Sequence, residues 1–302
     1  DKSGPGLFEF DQAKAIRQLG HSVRVAAVDI RSIRKWRKWG IERKIVDGVP
    51  YAVANIPSLG AYMPWALRHQ FNRFGLKLLM RELTDDGWRP DIIHAHFVWL
   101  GYVTVNMKRK FLCPVVVTEH SSQIMRKEMN RSIFRMAETI SQSADQLIVV
   151  SPILHDIYKR HFAIQSRVVP NILDIDLFKY QIKTDHLYYQ FISVGNLVPV
   201  KRMNLIIDAF CQEFSGQEQM RLMIIGSGPE HQRLQNMINK AQMTGQITLC
   251  GKKTRSDIAI ALRESDCFIL ASASETFGLA FVEALATGTP VIATRCGGPE
   301  SF

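Results

Sequence analysis

Apolar residues follow two rhythms along the chain, and the two alternate almost throughout. Short apolar runs that fit strands are HSVRVAAVDI (21–30), YAVANI (51–56), DIIHAH (91–96), PVVVTEH (114–120), QLIVVS (146–151) and SRVVPN (166–171). Longer amphipathic runs lie between most of them. In FEFDQAKAIRQLG the residues Phe10, Ala13, Ile16 and Leu19 recur at helical spacing. The second half repeats the scheme, with strands QFISVGN, RLMIIGSG, QITLCGK, CFILASAS and TPVIAT, and helices MNLIIDAFCQEF, PEHQRLQNMINKAQM and TRSDIAIALRES between them. Strands that are apolar on both faces and alternate with helices predict parallel sheets covered by helices, an α/β class.

The rhythm breaks over DIDLFKYQIKTDHLYYQ, which is polar, lacks clean periodicity and follows a Pro-Asn turn signal at 170–171. This places an N-terminal Rossmann-like domain over 1–173, an interdomain linker over 174–190 and a C-terminal Rossmann-like domain over 191–302. Two doubly wound domains facing each other across a cleft are expected. Ligands of such sheets bind at the carboxyl ends of the strands. Those ends carry SGPGLF, HAHFVWLG and TEHSS in the first half, and GNLVPVKR, GSGPEH, SASETFG and CGGPES in the second. Glycine serves there for sharp turns or close approach of a ligand.

One strand end stands out. In SETFGLAFVEALATG (274–288) a helix covered by Leu279, Ala280, Phe281, Val282, Ala284, Leu285 and Ala286 carries Glu283 among them, with Glu275 at its mouth. The free N–H groups of Phe277, Gly278 and Leu279 at the helix start favour an anion such as a diphosphate. A carboxylate inside an apolar helix needs a partner. A sugar diol suits it, because a carboxylate accepts two hydroxyl protons. The alternative pairs Glu283 with a neighbouring arginine and leaves Glu275 as a helix cap.

Composition adds limits. The chain has 302 residues, of which 46% are apolar and 22% charged, within the usual range for a soluble globular protein. No apolar run is long enough to span a bilayer, and the start, DKSGPGLFEF, does not read as a signal peptide. The five cysteines, Cys113, Cys211, Cys250, Cys267 and Cys296, are scattered and odd in number, which predicts a reducing, cytoplasmic setting. The net charge of +10 concentrates in RSIRKWRKWGIERK (31–44) and MPWALRHQFNRFGLKLLMREL (63–83). Basic residues mixed with tryptophan suit an anionic membrane surface, and so predict a protein peripheral on the inner membrane face; a plainly solvated basic face is the alternative. No nucleic-acid recognition module accompanies them, so no nucleic-acid partner is expected.

The motif S-x-x-E-x-F-G-L-x-x-x-E-A-L-A-x-G-x-P-V-I-A-T resembles the paired-glutamate signature of retaining GT-B glycosyltransferases of family 4. GLFEFDQAKAIRQLGHSVRV, DIIHAHFVWLG, PVVVTEHSS, ADQLIVVSP, VVPNILDIDLF, VGNLVPVKR and IIGSGPEHQRL resemble further segments of that family in the same order, so the resemblance covers essentially the whole chain. It implies the GT-B fold and transfer of a sugar from a UDP- or GDP-sugar donor to a glycan or lipid-linked acceptor, in cell-surface polysaccharide synthesis. It implies that Glu283 binds the donor ribose and Glu275 the donor sugar hydroxyls, and that Phe277, Gly278 and Leu279 present N–H groups to the diphosphate. Lys201 would sit on the leaving diphosphate and His96 beside the anomeric carbon. Gly6, Gly195 and Gly226 belong to the donor-side glycine loops. No metal or other cofactor is implied.

The sequence departs from the family pattern in places. Asn196 stands where an arginine often follows the glycine, which leaves Arg202 as a substitute cation, and Ile172 replaces a turn glycine after Asn171. The family's first strand before the glycine loop and its segments beyond the G-G-x-x-E loop are not in this sequence, so a fragment of a longer protein is expected, one whose first sheet lacks a central strand. A front-face transfer is expected, in which the departing phosphate takes the acceptor proton. Asp174 and Asp176 match D-x-D formally, and His94 and His96 could face one side of a strand, but neither set supplies a full metal site. Two alternatives compete: a catalytically inactive nucleotide-sugar-binding relative, and a nicotinamide-dependent oxidoreductase, for which SGPGLF lacks the required G-x-G-x-x-G.

Overall fold

The computed structural model describes residues 7–33, 38–58, 64–126, 128–183 and 187–302. The chain divides into two compact units, Asp1–Ile172 and Leu173–Phe302.

The first unit opens with helix α1 (Leu7–Gln18) and strands β1 (Val25–Ser32), β2 (Gly40–Val46) and β3 (Val49–Ser58). Helix α2 (Trp65–Leu83) follows, then β4 (Ile93–His96), α3 (Phe97–Met107), β5 (Val115–Glu119), α4 (Arg131–Ser143), β6 (Gln146–Val149), α5 (Pro152–Phe162) and the short β7 (Arg167–Val168). The strands form two sheets, ordered β1-β3-β2 and β4-β5-β6-β7. The second sheet is parallel throughout. β1 and β4 each end a sheet and do not pair with one another, whereas α2 packs on β1 and β3 and also touches α3. The helical layer is therefore continuous where the described strands are not.

One strand is absent from the sequence reading. Residues 40–46, read there only as part of a basic stretch, form β2 and pair antiparallel with β3. The turn between them is Asp47-Gly48, both with positive φ (46° and 76°). That conformation suits a two-residue hairpin, and Asp-Gly is its usual sequence. Three of the basic residues in the stretch are ion-paired locally: Arg31 with Asp29, Lys44 with Glu42, and Arg43 with Glu82 and Asp85. Arg34, Lys35, Trp36 and Arg37 lie outside the described residues.

The second unit is one five-stranded parallel sheet, β10-β9-β8-β11-β12. Its elements are β8 (Tyr189–Val194), α6 (Met203–Phe214), β9 (Met220–Ile225), α7 (His231–Lys240), β10 (Ile247–Leu249), α8 (Arg255–Glu264), β11 (Cys267–Leu270), α9 (Leu279–Ala286) and β12 (Val291–Ala293). The core joins both faces of the sheet to its helices, through Ile192, Leu222, Ile224 and Phe268 from strands and Ile206, Phe210, Leu234, Ile238, Leu262 and Phe281 from helices. Helix α8 begins with a reciprocal cap between Thr254 and Asp257.

The stretch 174–190 has contacts of its own with this unit. Phe178 is fully buried in its core, Lys183 is paired with Asp266, and the Asp266 carboxylate also accepts the Gln190 N–H. Asp174 accepts the Leu177 N–H in a local turn. Phe178→Ala is expected to destabilise the protein by about 3–5 kcal/mol, as for other deletions of a buried aromatic ring. Urea denaturation of the two proteins checks this, and a loss under about 1 kcal/mol would show that the stretch contributes little to the core.

Candidate functional site

The sequence reading sought the site at strand ends, and both units gather polar groups there. In the second unit, β8 ends at Val194 and Gly195 begins the turn. Gly195 donates its N–H to Ile225, and Leu197 donates to Ser227, so the loops after β8 and β9 lie side by side. A Cβ on Gly226 would stand 1.8 Å from the Gly195 carbonyl oxygen, and one on Gly228 would stand 2.3 Å from that of Leu197. Backbone packing alone therefore requires both glycines. The loop then turns through Pro199–Lys201 into α6, and Arg202 adopts positive φ at the helix start. This points Lys201 and Arg202 to different surroundings. Arg202 is exposed, while Lys201 is partly buried and its Nζ lies 2.5 Å from Oε1 of Glu275.

Glu275 sits in the loop between β11 and α9. Its Oε1 also accepts a 2.6 Å hydrogen bond from Ser272, and its side chain keeps only 12% of its exposure. The main chain here is stitched to the loop after β12: Glu275 N–H donates to Cys296, Gly298 N–H donates to Glu275, and Glu275 bridges Gly297. A Cβ on Gly298 would come within 2.5 Å of Phe277 N and of the Thr276 carbonyl, so only glycine allows this contact. Gly278, at φ 89°, sets the entry angle of α9. Among the described residues, none of the N–H groups of Phe277, Gly278 and Leu279 donates to a main-chain carbonyl. Glu283 is half-buried on α9, with interactions of its own. Within this unit, then, Gly195, Lys201, Gly226, Glu275, Phe277, Gly278 and Leu279 occupy adjoining loops and the start of α9, while Arg202 faces solvent. Gly6 lies outside the described residues.

In the first unit β4 and β5 run in register, with His96 opposite Thr118. His96 ends β4 and precedes α3; Phe97, directly after it, has positive φ (65°). Nδ1 of His96 lies 3.0 Å from Nε2 of His120, and the two rings are stacked. His94 hydrogen-bonds Thr118 at 2.6 Å and its ring lies against that of His96. Phe8 and Phe97 pack on His120. The sequence reading named His96 and noted the TEHSS loop without assigning His120 a role. The available signal was strand alternation: parallel pairing sets His96 opposite Thr118, and His120 follows two residues later with the same parity.

Burial holds His96 down at about 2, with His94 and His120 adding to the effect. Burial, then His94, holds His120 down at about 3, against a smaller opposing pull from Asn171. Burial also lowers His94. All three imidazoles are thus neutral at pH 7. Beside them Glu119 is fully buried, and desolvation pushes its carboxyl up to about 7 against the hydrogen bonds it accepts.

The signs follow by linkage. The histidines' folded values lie below the ordinary 6.5. Their contribution to stability is therefore whole above that pH and is lost as pH falls below it. Glu119 works the other way: its folded value exceeds the ordinary 4.5, so its contribution is lost as pH rises from there to about 7. His96→Gln should remove one histidine's share, a slope of up to about 1.4 kcal/mol per pH unit. Guanidinium titrations of wild type and variant at pH 7.5, 6.5 and 5.5 measure it, and parallel curves would show that His96 titrates normally.

Comparison with known proteins bears on the family and the fold. The sequence matches Glycosyltransferase Family 4 over residues 6–177 and Glycosyl transferases group 1 over residues 174–302. It is 23% identical to an alpha-monoglucosyldiacylglycerol synthase of Streptococcus pneumoniae over 92% of this chain and 65% of that protein. The chain spans between 57% and 65% of the length of three curated relatives it matches. Sucrose-phosphate synthase from Thermosynechococcus elongatus superposes with a TM-score of 0.79 at 20% identity, covering 98% of this chain and 77% of that one. An Anabaena protein solved in complex with UDP and glucose superposes with a TM-score of 0.68 at 16% identity, covering 92% and 82%. The α/β fold is that of the GT-B glycosyltransferases. With two α/β units and two family matches that together run from residue 6 to residue 302, the chain belongs to Glycosyltransferase Family 4.

Proposed function

We propose that this chain carries out retaining glycosyl transfer, moving a sugar from a nucleoside-diphosphate donor to a glycan or lipid-linked acceptor in cell-surface polysaccharide synthesis. The observation that carries the reading is the Lys201–Glu275 pair beside the start of α9, where N–H groups without main-chain acceptors meet a fixed cation. Charge accumulates on the leaving diphosphate as the glycosidic bond breaks. A lysine already held in place and a helix N-terminus stabilise that charge without reorganising. This chemistry requires no metal.

Glu275 orients Lys201 and accepts donor-sugar hydroxyls, and Glu283 accepts the ribose diol. The departing phosphate takes the acceptor proton on the same face, which retains the anomeric configuration. His96 stands on the acceptor-bearing unit. Its neutral imidazole accepts a hydrogen bond from a hydroxyl rather than placing a charge beside the developing cation. The Anabaena relative holds UDP and glucose, which supports a uridine donor ahead of a guanosine one.

An acceptor anchored in a membrane fits helix α2. Its exposed Leu67 and Phe74 share the helix with exposed Arg68, Lys77 and Arg81, a mixture suited to an anionic bilayer surface on the cytoplasmic side. The local ion pairs of Arg31, Arg43 and Lys44 make 31–44 the weaker part of that surface.

Calorimetric titration with UDP, GDP and their sugars, alongside Glu283→Ala, tests the donor site. Saturable binding of one nucleotide, lost in the variant, is expected; a folded protein that binds none would overturn the reading. Lys201→Ala should lower kcat by about 100- to 1,000-fold, as for loss of other fixed groups that stabilise transition-state charge. Trapping of a glycosyl-enzyme adduct would refute the front-face route. Co-sedimentation with vesicles of anionic and of zwitterionic lipid tests the surface. Binding to the anionic vesicles alone, weakened by Lys77→Glu with Arg81→Glu, is expected, and equal recovery with both vesicle types would remove the membrane from the proposal.

A further inference from the structure

Ser272, the second residue after β11, has no exposure at all, and no step of the transfer uses it. Its hydroxyl donates to Oε1 of Glu275 at 2.6 Å, the same oxygen that Lys201 Nζ meets at 2.5 Å. A carboxylate oxygen offers two lone pairs, so these two donors fill it. Among the described residues, no donor to Oε2 accompanies them. The main chain around Ser272 is tied on both sides, because β11 lies between β8 and β12 in the sheet. The Ala273 N–H donates to the Val200 carbonyl, one residue before Lys201. The Ser272 carbonyl accepts the Thr294 hydroxyl at 2.7 Å, from the residue directly after β12. The loops after β8, β11 and β12 thus meet at Ser272 and its neighbour.

We propose that Ser272 is a positioning residue for Glu275, holding the carboxylate so that Oε1 stays on Lys201 and Oε2 is left for the hydroxyls of the donor sugar. The inference rests on the glycosyltransferase reading of this site. Lys201 alone does not set the carboxylate's orientation, because an ammonium is a point charge on a flexible stem and meets an anion over a range of angles. The hydroxyl differs in both respects. It has one proton to give and a short side chain, and the main-chain ties on either side hold its Cα in place. Two donors from different loops converging on one oxygen leave the carboxylate little room to turn. Because the second donor is neutral, it steadies Glu275 without placing another cation between the carboxylate and its ligand.

The experiment uses the full chain with Ser272→Ala and Ser272→Thr, and reads two quantities. Alanine removes the hydroxyl and keeps both main-chain ties; threonine keeps a hydroxyl. One quantity is the side-chain carboxyl carbon NMR signal of Glu275 in the ligand-free protein, assigned by its loss in Glu275→Ala. The other is the calorimetric affinity for UDP-glucose and GDP-mannose, each measured beside its free nucleoside diphosphate. Ser272→Ala should move the Glu275 signal and weaken binding of the nucleotide sugar by about 3- to 10-fold, the scale of one hydrogen bond. Binding of the free diphosphate should stay within about twofold, since the serine acts through the group that meets the sugar. Ser272→Thr should restore both readings toward wild type. In a Glu275→Ala background the alanine change should add almost nothing, as for two residues that act through one contact.

An unmoved Glu275 signal in a folded Ser272→Ala protein would overturn the proposal. So would an unchanged affinity for the nucleotide sugar. Equal weakening of nucleotide sugar and free diphosphate would also overturn it, since that marks a loop that has lost its shape rather than a carboxylate that has lost its orientation. Should the alanine variant not fold, Ser272→Cys decides, because a thiol fills the space but donates weakly. A shifted Glu275 signal there supports the positioning role, and an unmoved one overturns it. A wild type that binds no nucleotide would sink the glycosyltransferase reading alone, because the Glu275 signal still reports whether Ser272 holds the carboxylate.

Discussion

Parallel pairing imposes the constraint on which the rest of this molecule depends. When strands run the same way, all their carboxyl ends emerge along one edge, and each chain must leave that edge through a short loop. In the second unit, four of those loops lie close enough for their backbones to touch in pairs, with Gly226 against Gly195 and Gly298 against Phe277. In the first unit, the ends of β4 and β5 bring His96 against His120. Polar side chains that the apolar layers exclude collect at these edges, and there they find one another: Lys201 with Glu275, His96 with His120, and Glu119 with the Ser121 N–H and the Tyr158 hydroxyl.

The edges of the two units differ in their electrostatics. The second unit presents a cation and free N–H groups, an arrangement that suits an anion. The first presents three neutral imidazoles in a mostly dry setting, with a carboxylate whose proton is nearly balanced at neutral pH. One edge therefore stabilises charge, and the other avoids it.

Much of this was legible in the sequence, for stated reasons. Most strands of the three sheets were visible because those buried on both faces are largely apolar. β2 was not, because Gly40–Val46 lies at a sheet edge and carries three charged residues in a row, Glu42, Arg43 and Lys44, which read as part of a basic surface. The Asp47-Gly48 turn was the signal that could have found it. Glu275 and Glu283 were visible as charges in apolar company. The partnership of Glu275 with Lys201 was not, because 74 residues separate them and only the sheet order brings them together. Gly226 was legible as a loop glycine; its steric necessity came from a neighbouring loop that local sequence does not describe. Glu119 read as part of a strand end, since nothing in TEHSS distinguishes a buried carboxylate from a solvated one.

The stitching of the loops after β11 and β12 bears on turnover. Glu275 exchanges main-chain bonds with Cys296 and Gly298, and Gly298 has no room for a side chain against Phe277, so this wall is rigid before any ligand arrives. A preformed receptor for a diphosphate keeps its diphosphate contacts after the sugar has left. On the proposed reading the spent nucleotide therefore competes for the same wall, and inhibition by product is built into the architecture. The pace of successive cycles is then set by how the spent nucleotide leaves, a property of the loops rather than of the bond being broken.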